Sequence, residues 1–159
     1  MEEEVKNKIP FPQANDVNKI IAVIRIEQDR LFDNNYLIDL LSVTQRQVNY
    51  YLSACAFLGI LDRKRHFTEL GLSMKSKGQE GLIEALSQVI VSKPVFGEVF
   101  FNKLFNGGYL TNEEISELIT FNYGVENIEV ADRRASTVKK WVEWIFSHIE
   151  KRGLFYETD

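Results

Sequence analysis

The sequence predicts a mainly α-helical fold with one small β-hairpin, arranged as two domains. Apolar residues recur every three or four positions along most of the 159 residues, which is the spacing of helices that bury one face. Capping signals precede several of these segments. One stretch, residues 60–68, differs, because its apolar ends enclose the basic run Arg63-Lys64-Arg65. That pattern is typical of a short hairpin with a solvent-exposed tip.

The first domain is predicted over residues 13–78, after a flexible lead-in over 1–12 that contains Pro10 and Pro12. Its first helix is expected over about 15–30 and its second over 35–41. A turn at Ser42 and Val43 follows. Thr44 and Gln47 then have the spacing of a Thr-x-x-Gln capping box, which predicts the start of a third helix.

The third helix separates an apolar face from a polar one. Its apolar face comprises Val48, Tyr51, Leu52, Cys55 and Leu58. Its polar face comprises Gln45, Arg46, Asn49, Tyr50 and Ser53. Gly59 suits the end of this helix, the hairpin over 60–68 follows, and a helix over 69–77 closes the domain. A short helix, a turn, a helix with an exposed polar start and a hairpin together predict a winged helix-turn-helix.

The second domain is predicted over residues 79–159, with helices near 79–91, 95–105, 114–121 and 130–151. The last helix aligns with the third at an offset of 90 residues, so that Val48 and Tyr51 match Val138 and Trp141. We therefore expect a tandem winged helix-turn-helix. The second wing is truncated in this prediction, because only one strand, 154–157, fits after the last helix.

Basic charge is concentrated on the two predicted reading elements. The formal net charge of the chain is −4. Residues 44–67 carry four basic and one acidic side chain, and residues 132–152 carry six basic and three acidic ones, so each stretch has a net charge of +3. The rest of the chain therefore carries −10. This distribution favours a localised contact with an anionic partner over an evenly basic surface.

The sequence offers no pattern for an enzyme, a metal or a cofactor. Cys55 is the only cysteine, and its place on the apolar face predicts a buried packing role. Asp62-Arg63-Lys64 has the Asp-x-Lys form of some nucleases, but it lies in the predicted hairpin without an upstream acid on a neighbouring strand. The acidic N-terminus and the absence of a long apolar run predict a cytoplasmic protein that does not enter membranes.

Three segments, "FPQANDVNKII", "TQRQVNYYLSACAFLGIL" and "DRRASTVKKWVEWI", together resemble the winged-helix modules of bacterial type II restriction endonucleases and restriction-modification proteins. In that family such modules recognise DNA while a separate nuclease domain cuts it. The resemblance implies that Gln45, Arg46, Asn49, Arg133 and Arg134 face DNA. The expected partners are double-stranded DNA, a nuclease domain or subunit, and, as a further option, a second copy of the chain.

The side chains on the same surfaces are of the types that recognise the bases and phosphates of duplex DNA. Arginines such as Arg46, Arg133 or Arg134 offer paired donors to guanine, and Asn49 or Gln45 can pair with adenine. The basic residues of the hairpin suit phosphates. The full set predicted to contact DNA is Thr44, Gln45, Arg46, Asn49, Tyr50, Arg63, Lys64, Arg65, Arg133, Arg134, Thr137 and Lys140.

The sequence leaves a second hypothesis open, in which the modules bind protein or dimerise. The acidic remainder of the chain and the aromatic helix near 95–105 favour it, with Tyr50 and Trp144 as interface anchors. The salt dependence of binding distinguishes the two hypotheses. Binding through phosphates weakens steeply as salt rises, whereas an aromatic interface does not.

Overall fold

The computed structural model describes residues 10–124 and 128–151. In this part of the chain there are eight α-helices and one 3-10 helix. They are α1 (Val17–Arg25), the 3-10 helix (Gln28–Phe32), α2 (Asn34–Leu41), α3 (Gln45–Phe57), α4 (Glu69–Lys75), α5 (Gln79–Ser92), α6 (Phe96–Asn106), α7 (Asn112–Tyr123) and α8 (Ile128–Lys151). None of the helices described is both long and apolar enough to cross a membrane.

The described residues form two compact units, with the change of unit after Ser76. Unit 1 contains residues 10–14 and 18–76, and unit 2 contains residues 15–17, 77–124 and 128–151. The core of unit 1 consists of buried aliphatic side chains from α1 to α4 and Cys55. Its most deeply buried members include Ile20, Ile24, Leu31, Leu37, Val48, Cys55, Leu58, Ile60 and Met74.

Helix α1 ends at Arg25, earlier than the predicted end near residue 30. A distant side chain caps this end, since the ammonium group of Lys75 donates hydrogen bonds to the carbonyl oxygens of Ile24 and Ile26. Carbonyl groups at a helix end have no intrahelical donor, and a lysine ammonium group can donate hydrogen bonds to them instead. Burial lowers the pKa of Lys75, and its ammonium group also lies 4.7 Å from the centre of the Phe67 ring.

Helices α2 and α3 pack together and are joined by a short turn. Ser42 adopts a left-handed backbone conformation, with φ of 54°, that ends α2. Thr44 then caps α3 as predicted. Its hydroxyl accepts a hydrogen bond from the Gln47 amide at 3.2 Å, and the Gln47 side chain accepts one from the Thr44 amide at 3.0 Å. The capping box thus fixes where the polar face of α3 begins.

The predicted fold class, a tandem winged helix-turn-helix with a small β-hairpin wing, is wrong. No β-strand is present in the described residues, and residues 60–68 contribute only one isolated bridge, between Leu61 and Phe67. The chain does reverse there, because the Asp62 amide donates to the His66 carbonyl and the Thr68 amide donates to the Ile60 carbonyl. The strand predicted over 154–157 lies outside the described residues.

Side chains take the hydrogen bonds that a hairpin ladder would need. Paired residues of an antiparallel ladder exchange two backbone hydrogen bonds, but the His66 amide donates instead to the Asp62 carboxylate at 2.9 Å. The Gln28 side chain accepts from the Phe67 amide at 2.8 Å and donates to the Arg65 carbonyl at 2.7 Å. We call residues 62–66 the basic turn. Its backbone is fixed by an aspartate and a glutamine rather than by strands.

Unit 2 consists of α5 to α8, with its core around Trp141 of α8. The Phe96 ring of α6 stacks on Trp141, with ring centres 4.9 Å apart. Helices α7 and α8 pack along each other, and α6 packs on both α5 and α8. The other buried side chains that join these helices include Leu82, Leu86, Ile90, Val99, Ile115, Ile119, Ala135, Val138 and Val142.

We predict that Gly71→Ala destabilises the protein and that Gly81→Ala does not. A β-carbon at Gly71 of α4 would lie 2.1 Å from the Ile60 carbonyl oxygen, a backbone atom that cannot move away easily. The expected loss is about 3 kcal/mol of unfolding free energy, measured by urea denaturation.

Gly81 is the matched control because it is also a helical glycine, and its β-carbon would meet the Lys77 side chain no closer than 3.5 Å. Alanine there should add about 0.5–1 kcal/mol, since glycine weakens a helix interior. Equal effects of the two substitutions would contradict the close packing of α4 on Ile60.

Candidate nucleic-acid interface

The first part of the candidate interface is the exposed start of α3. Gln45, Arg46 and Asn49 are exposed, and Tyr50 is half-buried. Arg46 is the only charged residue between Gln45 and Phe57, so α3 has no carboxylate. The N-terminus of a helix also carries a partial positive charge. This stretch therefore presents amide and guanidinium groups to solvent without an acidic neighbour on the same helix.

The polar side chains on α3 are held by neighbours one turn away. The Nε atom of Arg46 donates a hydrogen bond to the Tyr50 hydroxyl at 2.7 Å, and the guanidinium carbon lies 5.7 Å from the centre of the Tyr50 ring. Gln45 and Asn49 are joined by a longer hydrogen bond of 3.5 Å. Since Nε is the atom used, the terminal guanidinium nitrogens of Arg46 do not take part in this hydrogen bond.

The basic turn is the second part, and only two of its three cations point outward. Arg63 and Lys64 are exposed. Arg65 is half-buried, has a left-handed φ of 67°, and donates from one guanidinium nitrogen to the Leu31 carbonyl at 3.0 Å and to the Asn34 side chain at 2.7 Å. Arg65 was predicted to contact DNA, but its side chain is held by these hydrogen bonds within the protein.

Asp62 organises the backbone of the basic turn. Its carboxylate accepts hydrogen bonds from the amides of Lys64 at 2.8 Å and His66 at 2.9 Å. The hydrogen bond from the His66 backbone is the main cause that holds the pKa of Asp62 below its ordinary value of 3.8. Asp62 thus has a structural function in the turn.

Basic side chains stand at both ends of α3. Arg46 lies in its first turn, and the basic turn follows its last one. A helix of 13 residues is about 20 Å long. Residues 18–76 together with 10–14 carry eight basic and six acidic side chains, so unit 1 has a net charge of +2. Residues 15–17, 77–124 and 128–151 carry eight basic and 11 acidic ones, so unit 2 has a net charge of −3.

The predicted second reading element, the start of α8, is less suited to DNA than α3. Arg133 is exposed, whereas Arg134 is half-buried, and burial is the main cause that lowers its pKa. Thr137 is only 1% exposed, and its hydroxyl lies 2.6 Å from the Asn15 side-chain oxygen. Thr137 is therefore not available to DNA. Lys140 is exposed, but it lines a surface depression together with the acidic Glu143.

Acidic side chains surround the first turns of α8. Asp132 accepts a hydrogen bond from the Ser116 hydroxyl at 3.2 Å. Asp132 also lines a groove between α7 and α8 with Glu113 and Glu117. Asp132 directly precedes Arg133 and Arg134 on α8, and this group of carboxylates would repel phosphates.

The sequence did not reveal Gln28 as part of the turn. Gln28 was expected inside the first helix, and no local pattern distinguishes it from the neighbouring polar residues of "EQDR". The predicted roles of Thr44 and Tyr50 are modified. Thr44 is committed to the capping box, and Tyr50 supports Arg46.

A family model described as "Domain of unknown function (DUF7226)" matches residues 19–150. This match covers most of the chain and residues of both units, so the chain belongs to the DUF7226 family. No curated protein and no solved structure matches the chain. The family description states no activity, and the DNA-binding interpretation therefore stays a prediction.

We predict that Asp62→Asn reduces stability at neutral pH and that the reduction shrinks at acidic pH. A carboxylate whose pKa is lowered by folding stabilises the protein above its ordinary pKa, and this contribution is lost as the pH falls through the lower value of the folded state. The measurement is urea denaturation of the variant and the wild type at several pH values from about 7 to 3.

Asp39→Asn is the control, because Asp39 is an exposed carboxylate on α2 outside the turn. A stability difference for Asp62→Asn that is the same at both ends of the pH range would show that the carboxylate charge does not hold the turn.

Proposed function

We propose that this protein binds duplex DNA through unit 1, with the start of α3 in the major groove and the basic turn on the phosphates. The observation that carries the proposal is the exposed, acid-free polar start of α3, together with the exposed Arg63 and Lys64 in the turn that follows the helix. The net charge of +2 on unit 1 supports this orientation, and the net charge of −3 on unit 2 opposes a contact through that part.

The dimensions of α3 suit a groove contact. A helix with its side chains is about 10–12 Å wide, and the major groove is about 12 Å wide. Arg46 has terminal nitrogens that can donate in pairs to O6 and N7 of guanine, while Asn49 can pair with N6 and N7 of adenine. Tyr50 holds the Arg46 side chain along the helix through the Nε hydrogen bond. This restraint lowers the entropy that Arg46 loses when it binds a base.

The basic turn adds affinity without adding sequence information. Arg46 lies in the first turn of α3, whereas Arg63 and Lys64 follow its C-terminal end, and the helix between them is about 20 Å long. They therefore suit phosphates outside the part of the groove that Arg46 occupies. With two or three cations in contact, the plot of log K against log salt should have a slope of roughly −2 to −3.

In this proposal, the protein has no catalytic site of its own and acts in the cytoplasm. Its association with a nuclease domain or subunit, and hence a role in restriction-modification or a related DNA-processing system, depends on the resemblance of the three sequence segments. The described residues form no wing, so the fold does not support that resemblance. The surface of α3 supports DNA binding independently of it.

We predict that Arg46→Ala weakens binding to a preferred duplex by roughly 5- to 150-fold, the equivalent of the 1–3 kcal/mol that one good pair with a base provides. The preferred duplex is first enriched from a randomised pool with the wild-type protein. Fluorescence anisotropy then measures its affinity at about 50 and 200 mM salt. Lys64→Ala should weaken binding to all duplexes alike and reduce the salt slope by about 0.9.

Arg133→Ala is the matched control, because it removes the same charge from an exposed position on α8. Its binding should stay close to that of the wild type. If the wild type does not bind any duplex at 50 mM salt, or if Arg46→Ala and Arg133→Ala lose affinity equally without loss of specificity, the proposed role of α3 is wrong.

A further inference from the structure

A row of four phenylalanine rings leads from the core of unit 2 to its surface. Phe146 of α8 is buried and stacks on Phe100 of α6 with ring centres 5.0 Å apart. Phe100 contacts Phe101 edge to face at 5.3 Å, and Phe101 stacks on Phe105 at 6.0 Å. Phe101 is 47% exposed and Phe105 is 77% exposed. The two outer rings are thus held on a helix and presented to solvent.

An apolar groove of about 580 Å³ lies beside this row, between α5, α6 and α8. Phe100 and Phe101 form one wall, so Phe105 stands next to the groove on the same helix. The remaining wall residues are Ile83, Glu84, Ser87, Gln88, Val91, Ser92, Ile145, His148 and Ile149. Helix α6 therefore carries both an exposed aromatic ring and part of a groove that can receive such a ring.

The groove is nearly uncharged, although unit 2 as a whole is acidic. Among the described residues that line it, Glu84 is the only carboxylate and none is a lysine or arginine. DNA or a strongly basic segment would find little charge to pair with there. Two copies of the acidic unit 2 repel each other, and its uncharged apolar face is where they can approach.

We infer that this face binds a second copy of the same chain, with Phe105 of each copy placed in the groove of the other. A two-fold symmetric contact requires one surface that is complementary to itself, and α6 with its groove meets this requirement. The inference concerns unit 2 alone and does not depend on DNA binding by unit 1.

The available area indicates a weak, reversible dimer. Phe101 and Phe105 together expose about 250 Å², taking roughly 200 Å² for each ring. If each copy buries this area and covers a similar area of the opposite groove, the total is about 1,000 Å². Specific interfaces of this size lie at the lower end of the observed range and belong to transient complexes. We therefore expect association at micromolar concentrations.

The first test is sedimentation velocity over about 1–200 μM protein. The wild type should shift with concentration from a monomer of 18.4 kDa toward twice that mass. Phe105→Ser should raise the dissociation constant at least tenfold. Phe121→Ser is the matched control, because Phe121 is 88% exposed and lies in the other groove, between α7 and α8. A wild type that stays monomeric at 200 μM overturns the inference, as does an equal effect of both substitutions.

The second test locates the contact without altering the phenylalanines. Asn106→Cys, next to Phe105, is mixed with Gln88→Cys in the groove wall and oxidised mildly. The native Cys55 is buried and its pKa is raised to about 12, so it should not react. The matched control mixes Gln88→Cys with Asn122→Cys, which follows Phe121 in the same way. A higher yield of disulfide-linked dimer than in the control supports the placement of Phe105 in the groove of the other copy. A yield equal to that of the control overturns it.

Discussion

The structure of unit 1 depends on hydrogen bonds from a few side chains to the backbone of residues 61–68. Gln28 and Asp62 bind amide and carbonyl groups that strands would otherwise pair, and the Thr68 hydroxyl donates to the Gly59 carbonyl at 2.5 Å. The reversed chain brings the Ile60 carbonyl against Gly71 of α4. Lys75 at the end of α4 then caps α1. The side-chain bonds therefore connect the basic turn, α3 and the first helix in one framework.

The sequence predicted most helices of the described chain because periodicity and caps are local. The Thr44 and Gln47 pair marked the start of α3 correctly, since all atoms of a capping box lie within one turn. The wing was predicted wrongly because its local pattern fits a hairpin, while the partners that replace the ladder, above all Gln28, lie more than 30 residues away. The cap at the end of α1 is equally distant, because the lysine that provides it lies about 50 residues further along the chain.

The candidate site was predictable where residue type and helical phase are sufficient. Gln45, Arg46 and Asn49 are exposed as the phase of α3 indicated. Thr137 was predicted to contact DNA but is buried, and its spacing of four residues from the buried Trp141 is a signal that could have placed it on the inner face. Arg65 could not be excluded from sequence, because its partners Leu31 and Asn34 are distant along the chain.

The most direct test of the proposed function is an amide chemical-shift titration by NMR with a duplex enriched by the full chain. The largest changes should fall on residues 45–50 of α3 and on the basic turn, and the amides of α5 to α7 should change little. Largest changes on α7 and α8 would contradict the assignment of the DNA contact to unit 1. Uniformly small changes at saturating duplex would contradict DNA binding altogether.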